Sequence, residues 1–293
     1  MKRCHYPEGG RTVTPVRSAV ALLSAVVLTT PACNRDATFT EPTPAYAAIH
    51  WVHAVPDTMQ EDMRVVDIVS NAGLYDANFR GATMFYQGIE AGTRHIRIFN
   101  SSTNAVVAQQ TLVDTTITFT PSDSVTFIHM GFARSGSTPA REVRLFTDKA
   151  PDPGANSVAA RVIHAGAGLG NLDVFLIRRQ QDTLALGSPV AAGVGYGAVT
   201  SYVSLAADTG SQALRVVVTA TGTTAPILVN VALPPGQAAD TVSRVNPIPG
   251  ARIAGSVLTA VIVPRSVAGS MAPQGFTTPG VVILVDRRPP NKY

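Results

Sequence analysis

Apolar residues along this chain recur either at every second position or in short unbroken runs. Residues 93–100 place Arg94, Ile96 and Ile98 on one face and His95, Arg97 and Phe99 on the other, the period of a half-buried strand. Segments 125–132, 172–177, 213–219 and 281–285 are predominantly apolar runs of strand length. Beyond the N-terminus, no window long enough for a helix shows apolar residues at i, i+3, i+4 and i+7. The 24 glycines and 21 prolines are spread along the chain, and with abundant Val, Thr and Ile they favour many short strands. Seven or eight strands in each unit of roughly 110 residues predict an all-β chain of antiparallel β-sandwiches, immunoglobulin-like in build. An outer-membrane barrel is the rival all-β architecture. It needs long, evenly spaced alternating strands of about ten residues, and Pro289-Pro-Asn-Lys-Tyr293 makes a poor closing strand.

The pattern is used twice. Ala48-Ile-His-Trp-Val-His53-Ala54 lines up with Ser157-Val-Ala-Ala-Arg-Val-Ile-His164-Ala165 through a shared apolar-His-Ala ending. Val66-Asp67-Ile68 lines up with Leu172-Asp173-Val174, Gly92 to Ile98 with Gly210 to Val216, and Ser124 to Ile128 with Ser256 to Val261. Leu145-Phe-Thr-Asp148 finally matches Leu284-Val-Asp286. The pieces keep their order while the offset between copies drifts, so the copies differ mainly in loop length. The expected organisation is a first module over 46–150, a linker over 151–156 and a second module over 157–293. Each module carries a full strand set and is expected to fold alone.

The strand end His53-Ala-Val-Pro56-Asp57, followed by Val66-Asp67-Ile68, resembles the bacterial domain of unknown function 4397. Copies of that family open with a His-Ala-Ser-Pro-Asp-like strand end and then a Val-Asp-Val strand. The resemblance extends over both modules. In the second, Gly166-Ala-Gly-Leu-Gly170 replaces the Pro-Asp step, while Leu172-Asp-Val-Phe175 fits. It implies a surface or secreted β-sandwich, often in tandem and on lipoproteins, and it implies no reaction.

The N-terminus supplies an address. A basic stretch ending at Arg17 precedes an apolar run from Ser18 to Leu28 and the small residues Thr29-Thr-Pro-Ala32, so residues 1–32 read as a secretory signal. The apolar run is shorter than the ~20 residues a membrane span needs. Of the two cysteines, Cys4 would leave with the signal, and Cys33 sits where a lipoprotein signal places the cysteine that becomes acylated. Leu28-Thr-Thr-Pro-Ala-Cys33 resembles a lipobox, departing from it at Thr30 and Pro31. Residues 33–45 then form a lipidated Cys and a Pro-stiffened tether, and the membrane becomes a partner through the anchor. Ordinary cleavage after Ala32 is the alternative.

Charge adds little beyond this. The formal net charge is +4, but four basic residues and one acidic residue fall within 1–32, leaving 19 basic against 18 acidic. No basic stripe with interleaved aromatics appears, so nucleic acid is not an expected partner.

Candidate chemistry is sparse. Gly166, Gly168 and Gly170 follow a strand, but the third glycine is misplaced for a dinucleotide loop and no helix follows. Asp57, Glu61, Asp62 and Asp67 gather near one strand end. Such a set suits Ca²⁺, which takes six to eight oxygens, or an acid/base pair for glycoside hydrolysis; a solvated loop is the commoner meaning. His50 and His53 lie on opposite strand faces and cannot share a metal. His95 and His129 have no spaced partners, and no nucleophile motif is present. Trp51, Tyr75, Phe79, Phe85 and Tyr86 suit a sugar platform or, more commonly, a core. His53 with Asp67, and His164 with Asp173, are expected to form structural pairs that hold strands together. No cofactor is expected beyond the candidate Ca²⁺. The functional expectation is a non-enzymatic cell-envelope lipoprotein with a structural, adhesive or binding role, its partner a cell-wall glycan or a protein. A carbohydrate-binding or calcium-stabilised adhesion module and a hydrolase using the acidic loop are the alternatives.

Overall fold

The computed structural model describes residues 43–69, 72–178, 187–207, 210 and 212–293. The signal, Cys33 and most of the tether lie outside these residues. Pro44–Tyr293 forms one compact unit.

The first copy contains β1 (Tyr46–Ala54), β2 (Glu61–Val65), β3 (Gly73–Ala77), β4 (Gln87–Glu90) and β5 (Gly92–Asn100). A single helical turn, α1 (Ala105–Ala108), leads into β6 (Thr111–Phe119), β7 (Ser124–Met130) and β8 (Glu142–Thr147). The second contains β9 (Ser157–His164), β10 (Leu172–Ile177), β11 (Ala191–Val194), β12 (Val203–Ala206), β13 (Arg215–Ala220), β14 (Ile227–Ala232), β15 (Val257–Val263) and β16 (Gly280–Arg287). The first copy builds sheets ordered β4-β1-β7-β8 and β3-β2-β5-β6. The second repeats both orders strand for strand, as β12-β9-β15-β16 and β11-β10-β13-β14. The all-β sandwich and its duplication are therefore present in the topology. Most pairings are antiparallel, but β1–β7 and β9–β15 run parallel at the centre of their sheets.

The strand period explains how the sheets stack. On β1, Ile49 and Trp51 point into the first sandwich, where they meet Met63, Ile96, Ile98 and Phe127. Val52 and Ala54, on the opposite face, belong to a different cluster with Ile128, Met130 and Phe146. That cluster is completed by Ile163, Ala165, Val261, Val263 and Leu284 of the second copy. The remaining face of the second copy's β9 and β15 packs Val158, Ala160, Val162, Leu258 and Ile262 against its own outer sheet. The result is four layers, with two inner sheets pressed face to face. β1, β7, β9 and β15 are buried on both sides, which is why apolar residues fall on both of their faces while exposed-face strands such as β5 alternate.

The seam obeys a pseudo-two-fold symmetry. Val52 and Ile163, Ala54 and Ala165, Ile128 and Val261, and Phe146 and Leu284 are matched pairs across it. Its polar groups are matched as well. Asp148 accepts from Tyr86 Oη and Thr126 Oγ1, each at 2.8 Å, and Asp286 accepts from Tyr202 Oη at 2.8 Å and from Thr259. Contacts cross between copies: Arg161 of the second pairs with Asp148 of the first, and His50 Nε2 of the first lies 3.6 Å from Asp286 Oδ1. Arg161 also donates from Nε to Thr259 Oγ1 at 2.8 Å and lies over the Tyr202 ring at 4.6 Å. Burial and the nearby carboxylates push both phenols above their ordinary range, so they stay protonated donors. This is the self-complementary surface of a symmetric dimer, built within one chain.

The expectation that each copy folds alone meets an obstacle here. A separated copy would expose one face of its inner sheet and leave either Arg161 or Asp148 without its partner. Removing one member of a buried ion pair costs about 3–5 kcal/mol, whereas replacing both by apolar groups is often near neutral. Arg161→Met is therefore expected to lower stability by about 3–5 kcal/mol in urea melts, and Asp148→Leu added to it should restore most of the loss. Additive losses in the double variant would show that the two groups are not coupled.

Candidate functional site

Two places gather groups with chemical potential: a buried polar cluster in the first copy and a cleft along the seam. The cluster follows from register. β1 and β7 pair in parallel with His53 opposite His129, and both side chains point into the first sandwich, as Trp51 and Phe127 do. Glu61 opens β2 on the facing sheet. His129 Nδ1 donates to Glu61 Oε2 at 2.7 Å, and His53 Nε2 lies 3.4 Å from Glu61 Oε1. Thr58 Oγ1 bridges them, 3.0 Å from His53 Nε2 and 2.9 Å from Glu61 Oε1. His53 Nδ1–H donates to Ala77 O at 3.0 Å, which fixes the ring. All three titratable side chains are fully buried, and His129 Nε2 has no hydrogen-bond partner among the described residues. Burial depresses the His53 imidazole, with Glu61 opposing and His129 adding to the shift. Burial pushes Glu61 up, but His129 and His53 overcome it and hold the carboxyl below its usual range. A buried carboxylate is thus kept ionised between two imidazoles.

The second copy abandons this arrangement. The residue opposite His164 is Ile262, and Leu172 occupies the strand position corresponding to Glu61. His164 satisfies itself locally: Nε2–H donates to Gly170 O at 2.8 Å and Nδ1 accepts from Gly166 N at 3.1 Å. Burial lowers its pKa.

The two expected structural pairs are therefore not the ones formed. His53 meets Glu61 rather than Asp67. Asp67 lies beyond the end of β2, where it accepts from His95 N at 3.1 Å and faces Arg94. Asp173 does not meet His164; it accepts from Gly193 N and Gly222 N, each at 2.8 Å. The true counterpart of Asp173 is Asp62, which accepts from Asp76 N at 2.8 Å. Asp76 and Gly193 both have positive φ, 49° and 64°, so one carboxylate in each copy holds the same left-handed bulge in the neighbouring strand. The alignment of Asp67 with Asp173 was displaced by five residues because a short Val-Asp-Ile match outweighed the strand register.

The candidate Ca²⁺ set also disperses. Asp57 accepts from Ala133 N at 2.8 Å and Arg134 N at 3.0 Å. Glu61 is enclosed by the two histidines, Asp62 pairs with Arg64, and Asp67 is on the outer sheet's rim. Among the described residues, no group of three or more His, Cys, Asp and Glu is arranged to hold a metal. His50 and His53 do face opposite sides of β1. Trp51 and Phe79 are core residues, and Tyr86 is committed to the seam, stacked on His50 with ring centroids 3.8 Å apart.

The cleft lies where both copies' strands end. It has a volume of about 840 Å³ and is walled by Phe132 after β7, Ala167 to Leu169 after β9, and the β15–β16 loop from Pro264 to Pro279. That loop is held to the first copy by Val267 N donating to Pro56 O at 2.9 Å. Arg80 also donates to Pro264 O at 2.7 Å and Thr278 O at 2.5 Å. Arg80 covers Phe276 at 4.4 Å, and Phe276 meets Phe79 edge-on at 5.8 Å. A smaller hollow of about 270 Å³ adjoins it, sharing Phe132 and Val267 and adding Asp57, Arg134, Ser137 and Thr138. Sequence inspection missed this site because its walls come from four loops far apart in the chain. The one visible signal was the longer β15–β16 connection in the second copy.

The cluster makes acid sensitivity predictable. For His53 and His164, a depressed folded pKa means the unfolded chain binds protons first, so stability falls as pH drops below the ordinary value of 6.5. Glu61 stabilises above the ordinary 4.5 and loses that contribution as pH falls towards its lowered value. His164→Ala should therefore cost more stability at about pH 8 than at about pH 5, the reverse of what a carboxylate partner would have produced. A larger loss at the acidic pH, read by thermal melts, would contradict the neutral, backbone-bonded imidazole.

No curated protein matches the chain. Among solved structures, the crystal structure of CBMbc (family CBM26) from Eubacterium rectale Amy13K in complex with maltoheptaose matches at 9% identity. That match covers 85% of this chain and 99% of that one with a TM-score of 0.20, too weak to bear on fold or ligand. A family model matches from one residue into β1 through Phe175, taking in the rest of the first copy, β9 and most of β10. The model matching residues 47–175 is that of the domain of unknown function DUF4397, the family that the His-Ala-Val-Pro-Asp strand end resembles.

Proposed function

We propose that this chain is a non-enzymatic binding or adhesive protein of the cell envelope that takes its ligand in the cleft between its two copies. The observation that carries this reading is the cleft itself. It is concave, partly apolar and walled by loops from both copies, which the rigid seam fixes in place. The hydrolase alternative has less support. Glu61 is fully buried behind its histidines, and both oxygens of Asp57 accept backbone hydrogen bonds, so the acidic loop offers no carboxylate pair facing a shared space. The envelope location rests on residues 1–32 as an export signal and on Cys33 as an acylated anchor.

Both halves of the proposal are open to one set of preparations. Cells expressing the full chain should hold it in the membrane fraction, and Cys33→Ser should release it. Purified Pro44–Tyr293 should be retained on isolated envelope material or on a glycan array, and Phe132→Ala should weaken that retention without changing the circular dichroism. Retention untouched by Phe132→Ala would move the site elsewhere, and no retention on any such material would count against the binding role.

A further inference from the structure

The charges around the cleft are one-sided. Arg265 lines the main cleft and Arg134 the adjoining hollow. Both are exposed, and neither guanidinium has a carboxylate partner among the described residues. Arg80 lies beneath, bonded only to the cleft-wall carbonyls of Pro264 and Thr278, with its Nε buried and unpartnered. Among the residues lining the cleft and hollow, Asp57 is the one carboxylate facing these cations, and its oxygens are already engaged by the Ala133 and Arg134 amides. Cations in a concave site with apolar walls focus their field outward into the space a ligand would fill.

The uncharged groups narrow the ligand further. Phe132 and Phe276 are half-buried and line the same cavity. Around them the hydroxyls of Ser137, Thr138, Thr277 and Thr278 have no protein partner among the described residues. Partly exposed aromatic faces ringed by free hydroxyls suit a molecule with apolar ring faces and a polar rim. A guanidinium supplies the planar fork that binds a carboxylate through two hydrogen bonds.

Accepting the cleft as the ligand site, we propose that it binds an acidic glycan, with sugar rings against Phe132 and Phe276 and ring carboxylates on Arg134 and Arg265. The site is composite, since Phe132 and Arg134 come from the first copy and Arg265 and Phe276 from the second.

Calorimetric titration of Pro44–Tyr293 with oligogalacturonate and with its methyl ester tests this. The ester keeps the rings and removes the charge. Binding is expected for the acid, with affinity about ten-fold lower for the ester, for Arg265→Ala and for Arg134→Ala. Both arginines are exposed, so the variants should melt as the parent does. Polyglutamate and a single-stranded oligonucleotide of matched charge should bind at least about ten-fold more weakly. Equal binding of the ester, or equal binding of polyglutamate or the oligonucleotide, overturns the acidic-glycan assignment. So does no binding of oligogalacturonate. If retention on envelope material still depends on Phe132 while oligogalacturonate fails, the ligand class is wrong and the cleft reading stands; if neither is seen, both fall.

Discussion

The architecture depends on one contact, the seam where two inner sheets of the same design press together. Each copy could have closed as an ordinary two-layer sandwich with a solvated outer face. Instead the inner sheets carry apolar side chains on both faces, and Arg161 sits at the centre of a strand with 3% exposure. A guanidinium at that depth is tolerable only with its charge matched and its donors used. Asp148, Thr259 and the Tyr202 ring, drawn from both copies, meet that requirement. The crossed geometry therefore fixes how the copies meet as well as that they meet, and the loops beyond the strand ends inherit their positions from it.

Duplication followed by divergence is visible at single positions. Arg161 stands where the first copy has His50, and Tyr202, Thr259 and Asp286 stand where it has Tyr86, Thr126 and Asp148. The seam has kept its polar pattern in both halves. The sandwich interiors have not. The first copy encloses His53, Glu61 and His129, while the second offers Leu172 and Ile262 in place of Glu61 and His129 and leaves His164 to its own loop. Each core keeps a depressed imidazole, with a carboxylate beside it only in the first copy, and the second copy supplies the long β15–β16 loop that forms most of the cleft.

Much of the fold was legible because alternation and short apolar runs follow directly from strand geometry. The run 172–177 coincides with β10, and 93–100 differs from β5 by one residue. The side-chain pairs were not legible, since a one-residue slip in strand register changes every facing residue. His129 looked isolated because its partners, His53 and Glu61, are 76 and 68 residues away, a separation no motif spans. Local likeness aligns Asp67 with Asp173, whose structural counterpart is Asp62. The seam left one sign in the sequence: Arg161 in the middle of Val-Ala-Ala-Arg-Val-Ile. A charge inside a fully apolar strand asks for a buried counter-charge, and in this chain the counter-charge lies in the other copy.

Seam packing of this kind predicts that the two copies unfold as one cooperative structure. Differential scanning calorimetry of Pro44–Tyr293 measures this directly. A single transition whose calorimetric and van't Hoff enthalpies agree is expected, and Arg161→Met should shift that whole transition downward. Two resolved transitions, with Arg161→Met moving only the one belonging to the second copy, would contradict it.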